Sequence, residues 1–334
     1  GERQRELHAA LLGVEGAAVH GHDVAVVLGK VVFVSISSFL TGNSPRTSAT
    51  IATWPNPPPW LEPHHATAPR RARLQPANLN ASASKESNTS KLYTQMTDAE
   101  QLMFVRDQEQ RISAMMGDRP AQLNEDALRA IKLYVDRRVH GIKPDTGETL
   151  NDIYARAPEY VPLIARSFQA RKVPIIIGIY LPMIESAYRP CFENQFGSKG
   201  LFQFLPQTAR VYGVSRDEMC DVEKMTPAAA HYIADHMAEL GDDAESMTLV
   251  LLSYNRGAQW VRETLRELRQ TENYERNFWT LLAHQDKLDE SFRNESAAYV
   301  PNFFAAAIIG ENPQTFGLNL PPLSTLAQGV SSKQ

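Results

Sequence analysis

Ten consecutive residues, Ile175 to Ile184, carry no charge, and the next is an acid, Glu185. A run this apolar has to be enclosed by protein on every side, so the fold must be built around it. Its β-branched first half, Ile175–Tyr180, would suit a buried strand. Continued through Leu181, Met183, Ile184 and Ala187, the run is too long for an ordinary strand, and it predicts a buried helix over about 175–188. Gly178 and Pro182 count against that helix. One adds backbone entropy and the other removes an amide donor.

The rest of the chain from Thr97 onward also reads as helical. Thr97 and Glu100 have the spacing of a capping box ahead of a helix reaching about Met116. Asn124 can cap a second helix carrying Leu128, Ile131 and Val135, with Gly141 as its stop and a loop with Pro144, Asp145 and Gly147 beyond. Further helices are expected over about 158–172, 206–213, 227–240, 246–256, 257–271, 276–286 and 295–310. Pro227 suits a first turn and Gly241 a C-terminal stop. The fold class is therefore mainly α.

Residues 1–95 differ from this pattern. The stretch 41–95 is dense in Ser, Thr, Asn, Pro and Ala, and it cannot bury enough apolar surface to offset its ordering entropy; it is expected to be disordered. Val31–Leu40, after Lys30, has the composition of a secretory h-region, but no A-x-A cleavage site follows. The expected organisation is a disordered region 1–95, a helical prefix 96–154, a catalytic domain 155–320 and a disordered tail 321–334.

A net charge of −4 gives no reason to expect a nucleic-acid partner, and Arg70, Arg71 and Arg73 fall in a Pro/Ala-rich stretch that reads as a solvated tail. Cys191 and Cys220 could form one disulfide or remain two free thiols; both readings stay open. No Cys/His spacing suggests a metal site, and no metal or cofactor is expected.

The densest motif is Glu185-Ser186-Ala187-Tyr188 followed by Gly197-Ser198-Lys199-Gly200-Leu201-Phe202-Gln203-Phe204-Leu205-Pro206-Gln207-Thr208-Ala209. A carboxyl at the end of so apolar a helix is expected to be poorly solvated, which favours its protonated form and suits a general acid. The loop glycines allow backbone to approach a ligand, and the Gln203 amide offers both a donor and an acceptor. Taken singly these residues have plainer readings: a lone Glu at a helix end is usually a surface group, and Phe202 and Phe204 would by default be core. Their combination carries the signal.

That combination resembles the soluble lytic transglycosylase domain, with its goose-lysozyme-like fold, and within it the membrane-bound lytic transglycosylase D type. The family pattern runs E-S-x-[FY], then G-[AS]-x-G-L-x-Q-[FI]-x-P-x-T-A, then A-Y-N-A-G, then E-T-x-x-Y-V. After the first two motifs this chain supplies Ser253-Tyr254-Asn255-Arg256-Gly257 and Glu295-Ser296-Ala297-Ala298-Tyr299-Val300-Pro301. The lead-in Leu181-Pro182-Met183-Ile184 is similar to the family's L-P-x-[IV], which supports a helix through Pro182. The resemblance covers about 155–320.

The resemblance implies Glu185 as catalytic acid/base, and Gln203, Tyr254, Asn255, Glu295 and Tyr299 as residues lining a glycan groove. Tyr254 could instead be a packed core tyrosine, and Glu295 a helix-terminal charge. The family usually has Ser nine residues after its catalytic Glu, where this chain has Asn194, counted here as a substrate-binding candidate. Arg256 stands where the family has a small Ala, and Ala258-Gln259 replaces Pro-Gly.

The implied reaction is cleavage of the β-1,4 bond between N-acetylmuramic acid and N-acetylglucosamine. The muramyl C6 hydroxyl acts as internal nucleophile and a 1,6-anhydro product results, so a paired second carboxylate is not required. Glu193, the nearest acid, reads as a solvated loop residue. The implied partner is the glycan strand of peptidoglycan, with a monomer in the cell envelope or periplasm. Two rivals remain: a water-using muramidase of the same fold, and a non-catalytic peptidoglycan-binding or assembly protein, for which Asn194 and Arg256 speak.

Overall fold

Helix starts in this chain are set by side chains that take up free amides. The Thr97 hydroxyl accepts from Glu100 N at 3.3 Å while the Glu100 carboxylate accepts from Thr97 N at 2.6 Å, the expected capping box, and α1 (Asp98–Met116) follows. Asn124 Oδ1 accepts from Ala127 N at 2.9 Å ahead of α2 (Glu125–His140). The computed structural model describes residues 25–27, 30–32, 91–119, 122–140, 147–241 and 246–330. The expected stop at Gly141, its following Pro144–Asp145 loop, the low-complexity stretch 41–90 and most of Val31–Leu40 lie outside the described residues. Within the N-terminal part, β1 (Ala25–Val27) pairs antiparallel with β2 (Lys30–Val32).

Next come α3 (Leu150–Ala155), which the sequence reading missed, and α4 (Ala157–Ala170). The apolar run forms α5 (Ile175–Glu185), a buried helix as expected, but it ends at Glu185 rather than at 188. Ala187 and Tyr188 take φ of 51° and 58°, which no right-handed helix accommodates. Gly178 has a packing reason: a Cβ there would stand 2.7 Å from Ile164 Cγ2 and 2.8 Å from the Phe168 ring, so its absence lets α4 press against α5.

The remaining helices are α6 (Pro206–Val211), α7 (Val222–Leu240), α8 (Met247–Arg256), α9 (Ala258–Leu268), α10 (Phe278–Ala283), α11 (Glu290–Asn294) and α12 (Tyr299–Glu311). Helix α7 begins ahead of the expected Pro227, because Asp221 caps it by accepting from Glu223 N at 3.0 Å. Pro227 therefore sits inside the helix. Helix α12 starts only at Tyr299, after a 3-10 turn at Ser296–Ala298.

The core centres on α5 and α12, both buried along almost their whole length. α12 packs against α1, α2, α5 and α8; α4 lies on α5 and α7; and α8 lies between α7 and α9. The described residues from 91 to 330 fall in one compact unit, so residues 96–154 do not stand apart from those that follow. Cross-links explain this. Tyr154 donates its hydroxyl to Ala306 O at 2.8 Å, and Arg138 donates twice to Asn302 Oδ1 at 3.1 and 2.9 Å. Tyr93, inside the stretch expected to be disordered, is fully buried and donates to Asp136 Oδ1 at 2.8 Å.

The expected disordered tail 321–334 needs correction. Leu323–Val330 forms 3-10 turns against α4 and α5, with Leu323 buried. The cause is a buried carboxylate in need of donors: Glu311 accepts from Ser324 N at 3.0 Å, from Ser324 Oγ at 2.6 Å and from the Tyr180 hydroxyl at 2.7 Å. Residues 331–334 lie outside the described part. The cysteines also resolve, since Cys191 and Cys220 are joined in a disulfide.

Candidate active site

Glu185 is the last residue of α5, half-buried at the point where the chain leaves the core. Behind it the chain reverses sharply. Ser186 N and Tyr188 N both donate to Pro182 O, at 3.0 and 3.2 Å, and the left-handed pair Ala187–Tyr188 turns the backbone back. Left-handed backbone costs a residue with a Cβ roughly 1–2 kcal/mol, so the surroundings must impose it. The Tyr188 hydroxyl donates to Ile179 O at 2.5 Å, and Ser186 Oγ donates to Leu201 O at 2.8 Å, tying the turn to the glycine loop.

The glycine loop is braced from within. Asn194 Oδ1 accepts from Phe196 N and Ser198 N, both at 3.0 Å, and two isolated antiparallel bridges pair Glu193 with Lys199 and Lys199 with Phe204. Glu193 is ion-paired with Lys199 at 3.4 Å and Arg216 at 3.0 Å, so it belongs to the loop's outer face. Gly200 (φ 86°) is held where a Cβ would stand 2.1 Å from Met219 O, next to the Cys220 end of the disulfide. Gln203 is buried, and its Nε2 donates to Phe192 O at 2.8 Å and Gly200 O at 2.9 Å. The side chains of Asn194 and Gln203 thus build the loop.

Helix α8 brings the next pair. The Tyr254 hydroxyl donates to Phe202 O at 2.6 Å, and Asn255 Oδ1 accepts from Ser296 Oγ at 2.7 Å. Both residues are buried, so α8, the glycine loop and the 3-10 turn before α12 are joined at this point. At the start of α12 the Tyr299 hydroxyl donates to Glu185 Oε1 at 2.6 Å. Of the residues singled out in the sequence, this bond joins Glu185 and Tyr299 directly.

Burial holds the phenols of Tyr299 and Tyr254 well above their usual range, and the nearby Glu185 carboxylate raises both further. Tyr232, on α7, was not anticipated. Burial and the charge of Glu185 lift its phenol to about 12. Its ring lies 5.3 Å from that of Tyr254 and 5.3 Å from that of Phe204. Three protonated tyrosines therefore stand within the field of one carboxyl. No spacing rule in the sequence points to Tyr232, since it meets Glu185 only through tertiary packing.

Glu295 closes α11, half-buried, and its charge raises the affinity of the Arg256 guanidinium for its proton against the larger, opposite effect of burial. Arg256 itself points away from the loop. Its Nη2 donates to Asp289 Oδ2 at 2.6 Å and its Nη1 to Ser291 Oγ at 2.8 Å, and its guanidinium lies 4.1 Å from the centre of the Trp260 ring. Its side chain is 0% exposed, so it fastens α8 to α11 rather than filling a groove. Among the described residues no group of three or more His, Cys, Asp or Glu side chains could hold a metal.

Residues 163–277 match the model of the family described as the transglycosylase SLT domain. Two curated relatives, the membrane-bound lytic murein transglycosylase D of Escherichia coli K12 and that of Escherichia coli O6:H1, are each 26% identical over 173 residues. The aligned part is 52% of this chain and 36% of each relative, so the chain spans little more than a third of the curated relatives it matches. Glu185, Asn194, Gln203, Tyr254 and Asn255 fall inside the family match; Glu295 and Tyr299 lie beyond it. Residues 163–277 thus hold three of the four sequence motifs and the buried helix ending in Glu185, and they are the part of this chain that is similar to the transglycosylase SLT domain.

Proposed function

We propose that this protein is a lytic transglycosylase that cleaves the β-1,4 bond between N-acetylmuramic acid and N-acetylglucosamine in peptidoglycan, leaving a 1,6-anhydromuramyl end. The observation that carries the reading is the 2.6 Å bond between the Tyr299 phenol and Glu185 Oε1 at the mouth of a buried helix. It orients Glu185 Oε1 and supports its role as the acid/base.

Protonated Glu185 donates to the glycosidic oxygen, and the C1–O bond breaks through an oxocarbenium-like state. The resulting carboxylate takes the proton of the muramyl C6 hydroxyl, whose oxygen bonds to C1. One carboxyl therefore serves both steps, and the Tyr299 hydroxyl stabilises it while it is charged. Gln203, Tyr254, Asn255 and Glu295 border the substrate path in this reading, with Asn194 shaping the loop from behind. The salt-bridged Glu193 fits a loop role and not that of a second catalytic acid.

The Cys191–Cys220 disulfide supports an oxidising compartment, as the cell envelope would be. Among the described residues no helix is long and apolar enough to cross a membrane.

The test is digestion of purified sacculi by the full chain and by Glu185→Gln, with products read by mass. Anhydromuropeptides from the parent, and about 10²–10⁴-fold less of them from the variant, are expected. Hydrated muropeptides would assign a muramidase instead. Sacculus binding without any release would assign a binding or assembly role.

A further inference from the structure

The turn behind Glu185 is completed by a side chain outside the family-matched segment. Arg156, at the junction of α3 and α4, donates from Nε and Nη2 to Ala187 O at 2.9 and 2.8 Å. Its Nη1 donates to Glu148 Oε1 at 2.5 Å. The guanidinium fork thus closes on one backbone acceptor while its third edge is oriented by a carboxylate. Lysine, with a single ammonium, cannot reproduce that arrangement.

The gripped carbonyl belongs to the first of two adjacent left-handed residues, Ala187 and Tyr188. Such conformations persist only where surrounding contacts over-determine them. The Tyr188 ring, stacked on Tyr160 at 5.8 Å, and the Ser186–Leu201 bond hold the turn on either side of that carbonyl. Arg156 holds the carbonyl itself, two residues past Glu185.

We propose that Arg156, oriented by Glu148, is a positioning residue for the reaction, fixing through the Ala187 carbonyl the direction in which the Glu185 carboxyl leaves α5. The inference rests on Glu185 being the acid/base. Freed of the guanidinium, the Ala187–Tyr188 pair relaxes toward right-handed backbone and carries the end of α5 with it. A misplacement of about 1 Å in a reacting group can cost roughly 10²-fold in rate. Gln203, Tyr254 and Asn255 sit on other elements, so substrate binding is unaffected. The signature is a loss in kcat at constant KM.

The test compares full-chain parent, Arg156→Ala and Arg156→Lys on soluble glycan strands, with and without methylguanidinium. The Arg156 side chain is 28% exposed, so a guanidinium from solution can reach the vacated position. Arg156→Ala should lose about 10–100-fold in kcat with KM within about 3-fold, as a misplaced acid would. Arg156→Lys should recover little of this. Methylguanidinium should restore part of the loss in Arg156→Ala and nothing in Glu185→Gln.

Amide hydrogen exchange on the same proteins should show faster exchange at residues 186–189 in Arg156→Ala, with α12 unchanged. Parental kcat in Arg156→Ala would overturn the proposal, as would a loss that methylguanidinium leaves untouched and that comes with faster exchange throughout. If the parent releases no product, the proposed reaction fails on its own; unchanged exchange at 186–189 would then still refute the clamp.

Discussion

Tyr299, the first residue of α12, gives its phenolic hydrogen to Glu185, the last residue of α5, across 2.6 Å. Two helices buried along almost their whole length therefore meet at a single carboxyl, one ending where the other begins. Removing either partner should expose its share of the chemistry. Glu185→Gln is expected to lower muropeptide release about 10²–10⁴-fold, the usual scale of acid–base catalysis. Tyr299→Phe keeps the ring and loses one charge-assisted bond, so a fall of about 10-fold is expected, seen in kcat under saturating substrate.

Arg256 should prove dispensable for chemistry and costly for stability. It is wholly buried and ties α8 to Asp289 and Ser291, so Arg256→Ala is expected to lose about 1–3 kcal/mol in urea unfolding. Activity per folded molecule should stay within a few fold of the parent. A variant that instead gained activity would mean that the guanidinium obstructs the groove.

Gly200 combines a left-handed φ of 86° with a Cβ direction that runs 2.1 Å from the Met219 carbonyl oxygen. The obstacle is backbone, pinned by the neighbouring disulfide, and cannot swing aside. Gly200→Ala is expected to lower the thermal midpoint by an amount matching about 1–3 kcal/mol and to lose activity with it. Reducing the Cys191–Cys220 bond, which closes a loop with a sequence separation of 29, should cost about 2–4 kcal/mol, measured by urea unfolding with and without reductant.

Glu109 should make stability depend on pH. Burial lifts its carboxyl from 4.5 to about 7, against the lowering effect of the Ser113 hydrogen bond and with help from the charge of Asp118. The folded state then keeps a proton that the unfolded chain releases at lower pH. Stability from this group is full below about 4.5 and is lost as pH rises to about 7, on the order of 3 kcal/mol in all. Glu109→Gln should remove the dependence. The parent-minus-variant difference in unfolding free energy, taken at pH 5 and pH 8, checks it; His236, buried and lowered to about 4, titrates in both proteins and cancels.

What the sequence made legible is what depends on neighbours along the chain. Thr97 with Glu100 and Asn124 with Ala127 are contacts within one turn, and both could be read directly. The run from Ile175 to Ile184 announced its burial because no other environment suits it. Side chains whose role is set across the fold were less legible. Asn194 and Gln203 look like ligand contacts by type and position, yet both spend their amides on loop backbone. Tyr232, on α7, and Arg156, between α3 and α4, approach the site from segments that no motif joins to Glu185. The tail was misread because its docking depends on the buried Glu311, which a local reading scores as one more surface acid.

Helix α8, which carries Tyr254 and Asn255, starts on borrowed capping. Its first amides, Met247 N and Thr248 N, donate at 3.0 and 3.2 Å to the carboxylate of Asp118, a residue just past the end of α1. A fragment cut at residue 163, where the family match begins, would therefore leave that helix uncapped and its neighbours loosened. Anyone trimming this chain to a minimal unit, or grafting the segment around Glu185 onto another scaffold, has to carry the α1 segment along.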